Sequence, residues 1–281
     1  GIRDILIANQ IVGPVKLARL ASLARQARVT VAIDDEANLA DLSAVAQRYG
    51  ATIGVLVEVN IGMNRCGVEP GDPALALARE ALAAPGIDFR GLMGYEGHCV
   101  MIPDKSERAA AATKAIDLLL GTKSYLEAAG VGVQIVSGGG TGTYDVSGRR
   151  EGMTEIQAGS YATMDAKYLS VGMPFEPALT LLTTVISRPT ATRAVADAGL
   201  KAMTKEFGDP QPVGLPGVAV TRLSEEHANL ALDGVDLRPG QKIEILPTHG
   251  CTTINLHDRY YGIRNGVVEC VWEITARGKF A

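Results

Sequence analysis

Apolar runs alternate with amphipathic stretches through the first half of the chain. Runs that are hydrophobic at consecutive positions predict strands buried on both faces, and the stretches between them have the period of covering helices. The predicted strands are 4–8, 29–33, 53–59, 89–95, 134–136 and 155–158. The predicted helices are 14–26, 36–49, 72–84 and 106–129. This order predicts βα units of a parallel sheet.

Alternating βα units are typical of a (β/α)8 TIM-type barrel, which needs eight of them. Six are visible, so we expect the first two, and an N-terminal segment that would complete the barrel, to be missing from this chain. A polar residue, an aromatic residue or a glycine follows each strand, namely Asn9, Asp34, Asn60, Tyr95, Ser137 and Gly159. Since active sites of such barrels gather at the carboxyl ends of the strands, we expect the site there.

The pattern changes after about residue 174, where helices become scarce and Pro/Gly turns frequent. Short strands are predicted at 179–187, 193–197, 217–223, 242–246 and 269–275. We therefore expect a barrel domain at 1–174 and a C-terminal, mostly-β domain at 175–281.

Composition excludes some classes of function. The net charge of −4 over 281 residues argues against a nucleic-acid surface, and no apolar run is long enough to span a membrane. The four cysteines lie far apart without a CxxC pair, which favours reduced thiols and a cytoplasmic location.

Two loops could hold an anion. Ile135 and Val136 run directly into the segment SGGGTGT at 137–143, whose backbone amides and hydroxyls could surround a phosphate. A loop of similar character follows at Gly159, Ser160 and Tyr161. A glycine-rich connection without a ligand is the alternative for either loop.

Three further side chains follow predicted barrel strands. Arg65 lies in the loop GMNRCG and could bind an oxygen anion with its planar guanidinium, or lie in a surface turn. Tyr95 could contact a ring ligand, and His98 could act as a base or be ordinary polar surface.

His249 and Cys251 follow the predicted strand 242–246. With one residue between them on an extended chain, both side chains would lie on one side and suit zinc. A hydrogen-bonded histidine and a buried cysteine are the alternatives. His257 and Asp258 are nearby candidates, whereas Lys201 is expected to be a surface or structural lysine.

These segments together, with AGSYATMD, DAGLKA, SEEHA and PTHGCTTINLHD, resemble the alanine-racemase-like (fold type III) pyridoxal-phosphate enzymes. Within them, the chain is similar to the branch of D-threonine aldolase, D-3-hydroxyaspartate aldolase and D-serine dehydratase. The resemblance implies pyridoxal 5'-phosphate, a divalent metal (Zn, Mn or Mg) and a homodimer.

The resemblance also implies roles for individual residues. His249 and Cys251 would bind the metal, which grips the β-hydroxyl of the substrate. Arg65 would contact the phenolic-oxygen side of the cofactor, and Tyr95 would lie near its ring. The implied phosphate-binding residues are Ser137, Gly139, Gly140, Thr141, Gly159 and Ser160, with Tyr161 following in the same loop.

The implied activity is a lyase that cleaves D-3-hydroxy amino acids, of the D-threonine or D-3-hydroxyaspartate type, to glycine and an aldehyde, with His98 as the nearest base. A dehydratase that releases a 2-oxo acid and ammonia is the alternative. A non-catalytic pyridoxal-phosphate carrier and a phosphate-sugar barrel enzyme are further alternatives.

Two departures from the family pattern stand out. The Schiff-base lysine of the family follows its first barrel strand, and none of the lysines here matches that position, so we expect this chain to lack it. Many aldolases of the branch have Asp at the second metal position and the dehydratases have Cys. Cys251 therefore suggests a dehydratase, although the following residues 252–258 resemble the aldolases.

Overall fold

The computed structural model describes residues 1–279. The chain forms two compact units, Gly1–Ala158 and Gly159–Ala281. Each unit has its own secondary structure and its own hydrophobic core.

The first unit contains one sheet of six strands that lie side by side in chain order. Every neighbouring pair is parallel. The six predicted units are therefore confirmed as a half-barrel of parallel strands. The strands are β1 (Asp4–Gln10), β2 (Arg28–Ile33), β3 (Ile53–Glu58), β4 (Ile87–Met93), β5 (Ile135–Gly138) and β6 (Glu155–Ile156).

Five helices connect these strands, and their ends follow local sequence signals. The Asp35 carboxylate caps one helix by accepting the Asn38 N–H, and Gly50 ends it with a left-handed φ of 59°. Asp104 caps the longest helix by accepting the N–H groups of Ser106 and Glu107. The helices are α1 (Pro14–Ala24), α2 (Glu36–Tyr49), α3 (Asp72–Ala83), α4 (Lys105–Ala128) and α5 (Tyr144–Ser147).

The core of this unit lies between the sheet and its helices. All six residues of β3 are buried, as the run of apolar residues predicts for a central parallel strand. Val31 and Val55 pack in one cluster with Leu20 and Leu42 from the covering helices. This packing holds the carboxyl ends of the strands at one edge of the sheet, where the candidate residues lie.

The second unit is mostly β, as predicted. It has an antiparallel sheet in the order β10-β11-β8-β7-β12-β9 and a separate hairpin of β13 and β14. A 3₁₀ turn (Ser160–Ala162), α6 (Ala166–Ser170) and α7 (Gly250–Ile254) complete it. The strands are β7 (Leu181–Thr190), β8 (Arg193–Ala196), β9 (Gln211–Pro212), β10 (Val218–Leu223), β11 (Ala228–Leu232), β12 (Lys242–Leu246), β13 (Arg259–Arg264) and β14 (Val267–Glu273).

Three strands of this unit are absent from the prediction. β9 has two residues, and β11 has the sequence ANLAL, in which asparagine and two alanines are not typical strand residues. β13 has a glycine within it and an exposed Tyr261, so its apolar pattern is weak. Among residues 1–279, no helix has both the length and the apolar character needed to cross a membrane.

Candidate active site

The loop after β3 holds Arg65 in a defined turn. The Asn60 side-chain oxygen accepts the Asn64 N–H at 3.1 Å, and the Asp34 carboxylate accepts the Gly67 N–H at 2.9 Å. Asn64 has a φ of 55°, a left-handed conformation that asparagine tolerates. Hydrogen bonds on both sides of Arg65 therefore fix the backbone that carries the guanidinium.

Arg65 and Tyr95, to which the resemblance assigns contacts with the same cofactor, lie close together. The guanidinium carbon of Arg65 lies 5.6 Å from the centroid of the Tyr95 ring, within the range of a cation–π contact. The same ring lies against Gly140, where a Cβ atom would come within 3.1 Å of it. The structure thus places three predicted cofactor residues in one contact group of the first unit.

His98 is exposed and faces the loop that carries Arg65. A Cβ atom added to Gly62 would lie 3.0 Å from the His98 Nε2 atom, so only glycine leaves the imidazole this space. The φ of Gly62 is 116°, which also favours glycine. The imidazole therefore lies at the strand-end edge of the first unit, accessible to solvent.

A group that the sequence prediction did not include lies at the ends of β1, β2 and β3. The buried Glu58 carboxylate accepts the Gln10 side-chain N–H at 2.5 Å. Burial raises the pKa of Glu58, and the Gln10 hydrogen bond and the Arg65 charge oppose that rise. Asp34, Glu58 and Cys66 each offer a potential metal-ligand atom, and these atoms lie within 4.8 Å of one another.

The glycine loop after β5 is built around Glu96, a fully buried carboxylate. Its oxygens accept the Gly139 N–H at 3.1 Å, the Thr143 hydroxyl at 2.7 Å and the Ser147 hydroxyl at 2.6 Å. Three donors satisfy the carboxylate, as a buried charge requires. Burial, together with the Glu96 charge, raises the pKa of the Cys99 thiol to about 11.

Other donors of this loop also have protein acceptors. The Ser137 hydroxyl donates to the Glu155 carboxylate at 2.5 Å, and the Gly140 N–H donates to the Thr143 hydroxyl oxygen at 3.1 Å. Thr141 is buried in the same turn. The phosphate-binding roles of Ser137, Gly139, Gly140 and Thr141 stay predictions, and the structure shows a loop organised by its own hydrogen bonds.

The predicted second phosphate loop opens the second unit. Gly159 precedes the 3₁₀ turn, and a Cβ atom at this position would meet no atom within 4 Å. The Ser160 carbonyl accepts the Met164 N–H at 2.7 Å, which closes the turn. The Tyr161 ring lies 5.5 Å from that of Phe175, centroid to centroid. Gly159 and Ser160 thus lie in a turn with open space beside it.

His249 and Cys251 lie close enough in the second unit for each to shift the pKa of the other. The expectation of an extended chain holds only for His249, because Cys251 lies in α7. The helix begins directly after His249. The Asp165 and Cys251 hydrogen bonds raise the pKa of His249 to about 10, and the hydrogen bond from His249 lowers the pKa of Cys251.

Asp165 completes this group, and the sequence prediction missed it. Its side chain is 1% exposed, and Oδ2 lies 3.0 Å from His249 Nδ1. The other oxygen, Oδ1, accepts the Tyr168 N–H at 2.8 Å and caps α6. The sequence offered one clue, because an Asp before a short helical segment is a capping signal.

The other candidates of the second unit have separate partners. His257 contacts the Ala202 carbonyl oxygen through Nε2 at 2.7 Å, and Asp258 pairs with Arg277 at 2.9 Å. Lys201 forms an exposed ion pair with Glu226 at 2.6 Å. Each of these contacts accounts for the side chain without a ligand.

Two family profiles match the chain. Residues 1–167 match the alanine racemase N-terminal domain, and residues 178–263 match a putative serine dehydratase domain. The chain is 40% identical to D-threonine aldolase of Arthrobacter sp over 99% of its own length and 75% of the relative. It is also 40% identical, with the same coverage, to 3-hydroxy-D-aspartate aldolase of Paracoccus denitrificans strain Pd 1222.

Solved structures of related enzymes also match the chain. D-threonine aldolase from Filomicrobium marinum is 42% identical with a TM-score of 0.97, covering 100% of this chain and 78% of that protein. A cysteine-to-alanine variant of D-threo-3-hydroxyaspartate dehydratase, in the metal-free form, is 26% identical with a TM-score of 0.87 and covers 97% and 79%. The aldolases are thus nearer to this chain than the dehydratase is.

Proposed function

Because this chain belongs to the alanine racemase N-terminal domain family, we propose that it is a pyridoxal-phosphate- and divalent-metal-dependent lyase of D-3-hydroxy amino acids. The products would be glycine and an aldehyde, from substrates of the D-threonine or D-3-hydroxyaspartate type. One observation carries the proposal: 40% identity to D-threonine aldolase extends over 99% of the chain, including the unit with His249 and Cys251.

The residues of the first unit fit the cofactor in their chemistry. Arg65 offers a guanidinium to a phenolic oxygen, and Tyr95 offers a ring beside it. Because Gly140 and Gly142 have no Cβ atom, the turn that carries Thr141 can pack closely against Val100. In this proposal Ser137 and Gly139 shape that turn through their hydrogen bonds to Glu155 and Glu96. Thr141 would contact the phosphate.

In the second unit, the proposed phosphate contacts are Gly159 and Ser160, with Tyr161 next to them. The open space at Gly159 supports this, since an anion needs room to approach the backbone amides. When bound, the cofactor would serve as the electron sink for the bond that breaks in the substrate.

The metal proposal rests on the donor set. Imidazole nitrogen and thiolate sulfur suit zinc and related divalent ions, and two protein ligands leave positions open for substrate and water. His249 and Cys251 are near enough to shift each other's pKa, which supports their binding one ion. When bound, the ion would supply Lewis acidity toward the β-hydroxyl of the substrate.

His98 is our proposed base in this reaction. It would take the proton of the β-hydroxyl while the Cα–Cβ bond breaks, so that the oxygen becomes the aldehyde carbonyl and Cα gains a proton to give glycine. The exposure of His98 at the strand-end edge supports this role, because the imidazole can return the proton to water.

The test is a product analysis with the full-length protein, loaded with pyridoxal 5'-phosphate and with Mn²⁺ or Zn²⁺. D-Threonine should give glycine and acetaldehyde, and a chelator should remove the activity. Cys251→Ala should lower the activity in parallel with metal content. Cys66→Ala is the matched control, because Cys66 belongs to the other group of potential ligands.

Two results would contradict the proposal. Activity that survives complete removal of metal would remove the role of His249 and Cys251. Loss of metal in the Cys66 variant, with full metal in the Cys251 variant, would move the ion to the Asp34–Glu58–Cys66 group.

A dehydratase is the second candidate, and Cys251 is the observation that favours it. The branch resemblance associates Cys at this position with the dehydratases. The same assay decides, because a dehydratase would release ammonia and a 2-oxo acid instead of glycine.

We also propose a homodimer in the cytoplasm. The hairpin of β13 and β14 supports an interface, since Tyr261, Ile263, Val267 and Trp272 are all more than half exposed. The exposed free thiols of Cys66 and Cys251 support a reducing location.

A further inference from the structure

The carboxylate of Asp165 is hydrogen-bonded to His249, and the proposed metal chemistry gives it no role. Its side chain is 1% exposed, whereas that of His249 is 15% exposed. A buried carboxylate is unfavourable unless its oxygens have partners. Both oxygens of Asp165 are occupied, one by the Tyr168 N–H and the other by His249 Nδ1.

This hydrogen bond selects one form of the imidazole. A carboxylate acts only as an acceptor, so Nδ1 of His249 must carry the proton in the contact of 3.0 Å. The Nε2 atom then keeps its lone pair once the ring is neutral, and it is the nitrogen that can bind an ion. Histidine ligands in metal sites commonly have such a partner, which fixes both the tautomer and the ring orientation.

The surroundings restrict the ring further. The Phe207 ring meets His249 edge-on, with centroids 5.2 Å apart. The backbone near Asp165 is tied to the segment before His249 by a hydrogen bond from the Ala166 N–H to the Pro247 carbonyl, 2.9 Å long. Main-chain as well as side-chain contacts therefore hold Asp165 and His249 close together.

We propose that Asp165 is a positioning residue of the metal site, which presents His249 Nε2 to a divalent cation through the hydrogen bond to Nδ1. This inference rests on the proposed metal role of His249 and Cys251. Asp165 itself does not bind the ion in this arrangement.

The experiment measures binding of Co²⁺ alone to the full-length protein by the absorption of a Co²⁺–thiolate bond. Asp165→Asn is the main variant, because the amide oxygen can still accept the Tyr168 N–H and cap α6. We expect Asp165→Asn to weaken Co²⁺ binding by about 10- to 100-fold and to change the absorption band. Asp165→Ala should weaken it at least as much.

Asp104→Asn is the matched control. Asp104 also caps a helix, but its partners are Ser106 and Glu107 and no histidine. This variant should bind Co²⁺ as tightly as the wild type. Thermal unfolding of each variant, measured without metal, shows whether a change in binding accompanies a loss of folding. If Asp165→Ala does not fold, Asp165→Asn still decides.

The outcomes separate this inference from the proposal on which it rests. A wild type without a Co²⁺–thiolate band would overturn the metal site itself. A band that persists in Cys251→Ala would also overturn that site, because Cys66 could supply the thiolate instead. A band that is lost in Cys251→Ala, together with an Asp165→Asn variant that binds Co²⁺ within twofold of the wild type, would overturn the role of Asp165 alone.

Discussion

Two buried carboxylates organise the candidate residues of this protein, one in each unit. Glu96 holds the glycine loop through an amide and two hydroxyls, and Asp165 holds an imidazole and the first turn of α6. Neither is expected to touch a substrate. Buried charges of this kind are costly unless every oxygen is satisfied, so their partners are fixed by the fold.

At this scale we predict the effect of Glu96→Gln. The variant replaces one acceptor oxygen by an amide group that donates, and it leaves a buried donor of Gly139, Thr143 or Ser147 without an acceptor. We expect a loss of about 1–3 kcal/mol in the free energy of unfolding, measured in urea. The pKa of Cys99 should fall, because the Glu96 charge contributes to its present value of about 11.

Glu127→Gln is the control for this prediction. Glu127 forms an exposed ion pair with Lys123 one turn away on α4, and such pairs contribute about 0.5 kcal/mol or less. Equal losses in the two variants would contradict the importance assigned to Glu96.

At the scale of elements, the sequence predicts the first unit well because its elements carry redundant signals. β2 and β3 consist mostly of buried apolar residues, and α2 has both its Asp35 cap and its Gly50 stop. The predicted ends lie within a few residues of the observed ones. The short strands β9 and β11 lack such redundancy, and pairing with neighbouring strands defines them.

The candidate site is less predictable than the elements that carry it. Arg65, Tyr95 and Gly140 are recognisable as loop residues, but only the fold shows that they touch. The Thr143 partner of Glu96 and the His249 partner of Asp165 lie more than 40 residues away along the chain, and the only local signal is the Asp165 cap of α6. Long-range hydrogen bonds of this kind produce no periodic pattern in the local sequence from which they could be predicted.

The glycine loop provides a prediction at this scale. A Cβ atom at Gly142 would lie 1.9 Å from the Val100 carbonyl oxygen, so Gly142→Ala forces the backbone to move. We expect a loss of about 1–3 kcal/mol in stability and weaker pyridoxal-phosphate binding, measured by unfolding and by equilibrium titration.

Gly132→Ala is the matched control, because a Cβ atom there meets nothing within 4 Å. This change should alter stability by no more than about 0.5 kcal/mol. A Gly142→Ala variant that behaves like the control would show that the loop tolerates a shift of its backbone.

For the whole molecule, metal binding should stabilise the folded chain. At a free-metal concentration of about 100 times the Kd, the gain is about 2.7 kcal/mol, which thermal unfolding with and without chelator can measure. At one fixed concentration of free metal, the gain should be smaller at about pH 6 than at about pH 8. The ion must displace protons from His249 and Cys251, so its Kd rises as the pH falls. The His249 pKa of about 10 makes that displacement costly at low pH.

The same gain should be absent in Cys251→Ala and retained in Cys66→Ala. Metal-induced stabilisation that does not depend on pH, or that persists in the Cys251 variant, would argue for an ion bound elsewhere.

The two proposed metal ligands differ in how freely they can change. His249 is enclosed by Asp165 and Phe207, so a replacement at this position would disturb packing and a helix cap together. Cys251 lies exposed in the first turn of α7, where a different side chain would disrupt little of the core. Evolution could therefore exchange sulfur for carboxylate at this one position, shifting preference from softer to harder cations while the rest of the fold stayed unchanged.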